Sequence, residues 1–128
     1  MKQNAKAAAI TLARSFGHAI AGLVYVIRTQ RNMQIHLVAS LFAVTAGFLF
    51  HLSTIEWIAI LFAIFLVLFA ETLNTAIEAA VDLTTKEIHP LARVAKDCAA
   101  GAVLLAAIHS VVVAAIVFLP KFFPALFD

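Results

Sequence analysis

Three apolar runs, near residues 33–52, 57–81 and 98–119, set what this chain can fold into. Each is close to the roughly 20 residues that an α-helix needs to cross a hydrocarbon core of about 30 Å. Inside lipid a backbone must satisfy its own hydrogen bonds, which favours helices for runs of this length. Composition agrees: 64% of the 128 residues are hydrophobic and 12% are charged, against about 45–50% and about 25% in soluble chains. A soluble domain of this size cannot hide so much apolar surface in one core. Disorder, a nucleic-acid-binding tail and a disulfide scaffold are excluded too, because charge is sparse and Cys98 is the only cysteine. The sequence predicts one all-α integral membrane domain over residues 1–128, with no nucleic-acid partner.

Residues 5–28 carry a different pattern. Ile10, Ala13, Phe16, Gly17, Ile20, Leu23, Val24 and Ile27 recur at helical spacing, with Thr11, Arg14, Ser15, His18, Tyr25 and Arg28 on the other side. A helix of that kind suits the plane of the membrane interface; packing against a soluble partner is the plainer alternative. No compact apolar core with a small-residue cleavage site precedes residue 30, which argues against a signal peptide. Lys2, Lys6, Arg14, Arg28 and Arg31 precede the first span, and Lys86, Arg93 and Lys96 lie between the second and third. The break at His51-Leu52-Ser53-Thr54 has no Lys or Arg, and Lys121 is the one cation on that side. The positive-inside rule then puts the N-terminal region and residues 82–97 in the cytoplasm and the 51–56 turn outside. Trp57 suits the headgroup belt, and Ala99, Ala100, Gly101 and Ala102 offer a face for close helix approach.

The second span breaks its own apolar character near its end. Glu71, Asn74, Glu78 and Asp82 fall within an arc of about 80° at 100° per residue. Carboxylates inside a membrane are costly and normally face a partner, a cavity or a cation. A single stray Glu is tolerable for packing; four polar groups on one stripe in the cytoplasmic half point to a site. Carboxylate and carboxamide oxygens are hard ligands that suit Mg²⁺, and a desolvated carboxylate is a good proton acceptor for an alcohol. Beyond the stripe come Lys86, Glu87, His89, Arg93, Lys96 and Asp97. Lys96 can hold phosphate oxygens and Asp97 a metal or a ribose hydroxyl, although a solvated connector reads equally well from composition. No GxxxxGK[ST], GxGxxG or zinc-spaced Cys/His cluster is present. His18, His36, His51, His89 and His109 are scattered, each reading singly as interfacial or packed.

Two blocks carry a resemblance. The stretch from Glu71 through Asn74 and Glu78 to Asp82 fits an ExxNxAIExxVD signature, and the run from Ala95-Lys96-Asp97 to Val103 fits AKDxxxxAV. Together they resemble the prokaryotic diacylglycerol kinase family. His89-Pro90-Leu91-Ala92 and Arg31-Asn32-Met33-Gln34-Ile35-His36 are similar to its Gram-positive branch, mostly undecaprenol kinases. The resemblance covers nearly the whole chain. It implies a homotrimer in the bacterial plasma membrane, with active sites shared between subunits on the cytoplasmic face. It implies ATP- and Mg²⁺-dependent phosphorylation of a lipid alcohol, undecaprenol in the first place and diacylglycerol as the alternative. Carried over by position, Glu71 is the general base, with Asn74 beside it. Glu78 is a metal ligand that bridges to the ATP phosphates, and Asp82 supports it. Lys96 and Asp97 bind nucleotide, and Glu87, His89 and His18 join the nucleotide side.

One position departs from the family. Where a glutamate precedes the Arg-Asn pair and helps to hold metal, this chain has Gln30. An amide offers a carbonyl oxygen but no charge to a divalent cation, so the resemblance implies weaker metal dependence or lower turnover. Two other readings of the sequence remain: a small proton- or cation-coupled transporter built on Glu71, and a non-enzymatic assembly subunit.

Overall fold

The computed structural model describes residues 2–84 and 89–124, with side chains described from residue 11 onward in the first helix. Four helices follow one another: α1 (Lys2–Thr29), α2 (Arg31–Leu49), α3 (Thr54–Thr84) and α4 (Pro90–Phe122). No strand occurs among the described residues. The last three are long and apolar enough to cross a membrane. α3 packs chiefly against α4 and next against α2, whereas α1 touches α2 and α3 only lightly.

α1 ends where Gln30 adopts an extended conformation (φ −99°, ψ 114°), which turns the chain into α2. Gln34 Nε2 donates to the Ile27 carbonyl at 3.1 Å, satisfying one of the acceptors that a helix end leaves open. Of the described α1 side chains only Val26 is buried, while Leu12, Phe16, Ile20 and Leu23 stay exposed. An apolar face without a protein partner fits the amphipathic pattern expected of an interfacial helix.

The α2–α3 turn is tightly specified. Leu52 N–H donates to Gly47 O at 3.1 Å and His51 N–H to Phe48 O at 3.3 Å, the paired bonds of a Schellman stop. His51 takes the left-handed position (φ 49°) that glycine usually fills. Ser53 and Glu56 then form a reciprocal capping box: Ser53 N–H donates to Glu56 Oε2 at 2.7 Å and Glu56 N–H to Ser53 Oγ at 3.4 Å. The other Glu56 oxygen meets Lys121 Nζ at 2.9 Å, tying the start of α3 to the end of α4. Leu52, Ile60, Val117 and Phe118 form the core at this end, with Trp57 packed on it. Gly47 lets Trp57 approach closely, since a Cβ there would lie 2.7 Å from the ring.

The helices run past the expected crossing segments. α4 starts at Pro90, well before Cys98, because proline suits the first helical turn and His89 Nδ1 accepts from Leu91 N–H at 3.2 Å. Lys96 and Asp97 therefore lie on a helix rather than in a loop. α4 also continues through Pro120 to Phe122, with one N–H bond of the last turn left out at the proline.

Candidate active site

The chain reverses twice, so the α1–α2 junction, the end of α3 and the start of α4 share one end of the bundle. Near that end α3 presents its polar stripe to a cleft of about 330 Å³, lined by Glu71, Asn74 and Glu78 from α3, by Asn32 and His36 from α2, and by Ala100, Val103, Leu104 and Ala107 from α4. Glu71 is the most deeply buried large side chain, 1% exposed. Among the described residues its Oε2 has no hydrogen-bond partner, and neither has the buried Oδ1 of Asn74. Asn74 Nδ2 donates to Glu78 Oε1 at 3.0 Å, which aligns the two along the helix. The threonines between them play no part in the cleft: Thr72 and Thr75 donate to the carbonyls of Leu68 and Glu71 at 2.8 and 2.9 Å.

A buried acceptor without a donor costs about 1–3 kcal/mol, and more when charged. The contrast on the same helix is direct, because Glu56 is fully matched by Ser53 and Lys121. Open acceptors at Glu71 and Asn74 are what a site for a hydroxyl or a cation requires. The donor set of carboxylates and carboxamides fits Mg²⁺. Among the described residues no group of three or more His, Cys, Asp or Glu stands close enough to cage a metal. That also suits Mg²⁺, which is commonly held by one or two carboxylates together with substrate phosphates.

One helical turn past Glu78, Asp82 pairs with Lys96 across the α3–α4 interface, Oδ1 to Nζ at 2.5 Å. Arg93 and Asp97 pair along α4 at 3.6 Å. Both pairs are substantially exposed, so each contributes little to stability and remains open to exchange with other ions.

Comparison with known proteins gives this geometry its family. The sequence profile described as prokaryotic diacylglycerol kinase matches residues 17–118. The chain belongs to the prokaryotic diacylglycerol kinase family. It is 47% identical over 108 residues to the undecaprenol kinase of Bacillus subtilis, covering 84% of this chain and 88% of that one. It is 46% identical over 121 residues to the diacylglycerol kinase of Synechocystis, covering 94% and 69%. With the Escherichia coli K12 diacylglycerol kinase it shares 39% over 75 residues, 59% of this chain and 62% of that one. The chain is thus a membrane lipid kinase.

In this kinase the stripe expected from the sequence stays together, with Glu71, Asn74 and Glu78 in the cleft and Asp82 just beyond it with Lys96. Gln30 is half-buried at the α1–α2 junction, its Nε2 3.4 Å from Thr29 Oγ1, two residues before Asn32 and not itself on the cleft lining. His18 is exposed on α1, Asp97 is exposed beside Arg93, and His89 serves as the α4 cap. Glu87 lies outside the described residues. Asn32 and His36 share the branch-like stretch from Arg31 to His36, which gives neither of them a role at the site. Their spacing of four, which puts both on one side of α2, was the available signal.

Proposed function

We propose that this kinase transfers the γ-phosphoryl group of ATP to the hydroxyl of a membrane lipid alcohol, undecaprenol in preference to diacylglycerol. The carrying observation is Glu71: 1% exposed, with an unpartnered buried carboxylate oxygen, on a residue that lines a cleft at the polar end of the bundle. A lipid hydroxyl reaching that oxygen gives up its proton to Glu71. The alkoxide oxygen bonds to the γ-phosphorus, the bond from that phosphorus to the β–γ bridging oxygen breaks, and ADP leaves. Such transfer asks a protein mainly for positioning and charge neutralisation. Glu78, aligned by Asn74, and the amide oxygen of Asn32 are the groups that would hold Mg²⁺, which supplies positive charge at the phosphates. Lys96 exchanges its exposed partner Asp82 for phosphate oxygens, and Asp97 lies one residue on to meet the nucleotide. The clustering of Arg28, Arg31, Arg93 and Lys96 at this end supports a cytoplasmic site under the positive-inside rule. The wide exposed apolar surface of α2, α3 and α4 is compatible with assembly into a homotrimer.

The preference for undecaprenol rests on the Bacillus relative, which matches over 88% of its own length, and on the two branch-like motifs around His36 and His89. The test is incubation of detergent-purified protein with Mg²⁺, labelled ATP and either lipid. Label in the lipid fraction is expected, fastest with undecaprenol. No label with either lipid refutes the kinase reading, and faster transfer to diacylglycerol reverses the preference.

A further inference from the structure

Resting on the reading above, we infer that His36 seats the acceptor hydroxyl, donating a hydrogen bond to its oxygen where the polar cleft meets an apolar groove. His36 lines the cleft with Glu71 and Asn74. It also lines a second cavity of about 260 Å³ between α2, α3 and α4, which continues towards the opposite end of the bundle. On α2 and α4 that cavity runs from His36 to Ala43 and from Ala107 to Ala114, about 10 Å of helix along each. Only His36 and Ala107 belong to both cavities.

The groove is apolar in practice as well as in composition. Its two serines are occupied: Ser40 Oγ donates to His36 O at 2.7 Å, and Ser110 Oγ lies 2.9 Å from Ala106 O and 3.1 Å from Ala63 O. A molecule filling both spaces has a hydrocarbon tail in the groove and a polar head in the cleft, which describes a lipid alcohol. Its O–H donates to Glu71 Oε2, so its oxygen needs a donor from elsewhere. Asn74 Nδ2 is committed to Glu78. The ring of His36 has no hydrogen-bond partner among the described residues. A neutral imidazole carries one N–H, and Asn32, the second amide of the cleft, does not reach the groove.

The experiment compares His36→Ala, His36→Gln and wild type in the lipid phosphorylation assay, with full curves for lipid alcohol and for ATP. His36→Ala is expected to raise KM for the lipid alcohol about tenfold, the effect of one lost substrate contact. KM for ATP should stay within about twofold, and His36→Gln, which keeps a donor, should recover most of the loss. A lipid KM unchanged in His36→Ala, or a parallel rise in KM for ATP, overturns the assignment. Carbethoxylation of wild-type protein by diethyl pyrocarbonate, read at His36 by peptide mass spectrometry, needs no variant to fold. Undecaprenol should protect His36 and a non-hydrolysable ATP analogue should not; equal modification with and without the lipid overturns the seat. Wild-type protein that phosphorylates no lipid alcohol would refute the kinase reading and this inference together, whereas active wild type with an unaltered His36→Ala variant refutes the seat alone.

Discussion

Glu71→Gln moves activity and stability in opposite directions. The side chain is 1% exposed, and its Oε2 has no partner. Leaving a buried charge uncompensated costs about 3–5 kcal/mol, whereas an unsatisfied neutral amide costs about 1–3 kcal/mol. The glutamine variant, of nearly the same shape, is therefore expected to be more stable by about 2 kcal/mol. Loss of a general base lowers a rate by about 10²–10⁴, or about 3–5 kcal/mol of barrier at 1.36 kcal/mol per tenfold. ATP binding lies with other groups, so KM for ATP should hold. The assay is phosphate transfer to undecaprenol in detergent micelles, paired with an unfolding titration that gives a midpoint for each protein. Transfer within tenfold of wild type would refute Glu71 as the base. Joint loss of transfer and stability would refute the argument that this carboxylate is kept at a structural cost for the sake of the reaction.

Two further perturbations probe other parts of the chain. Gly47→Ala puts a Cβ 2.7 Å from Trp57 Cη2 and 3.1 Å from Leu52 Cδ1, so overpacking should destabilise the protein by about 1–3 kcal/mol; helix propensity alone would stabilise it by up to about 1 kcal/mol, and the sign of the shift in unfolding midpoint decides between them. Gln30→Glu restores the charge that the family places at this position, beside the α2 residues of the cleft, and should raise turnover or sharpen the Mg²⁺ requirement in a metal titration; an unchanged titration and rate would refute the metal-binding role that the resemblance implies for Gln30.

Much of the architecture was legible because membrane helices advertise themselves in hydropathy, and the amphipathic run before residue 30 does so in its periodicity. Helix ends were less legible. Lys96 and Asp97 fall in a charged loop and helix start whose boundary the sequence leaves open, and the Pro90 start and the His89 cap carry α4 well ahead of its apolar part. The α3 side of the site was visible because Glu71, Asn74 and Glu78 keep helical spacing against an apolar background. The α2 side was not. Gln34, His36 and Ser40 are all polar interruptions of one span, and nothing in their order says which faces α3. In the structure Gln34 turns back to the Ile27 carbonyl and Ser40 to the His36 carbonyl, while His36 lines the cleft.

The sequence by itself determined that this chain is a helical membrane protein with a polar stripe on its second span and its cations gathered at one end. Those properties follow from local chemistry: the length of apolar runs, the 3.6-residue period and the cost of charge in lipid. Only the tertiary structure decided that Glu71 keeps an open oxygen while Glu56 does not. It alone put Asn32 and His36 opposite the stripe and joined the cleft to an apolar groove at His36. Each of these depends on how one helix packs against another, which residue periodicity within a single helix does not encode.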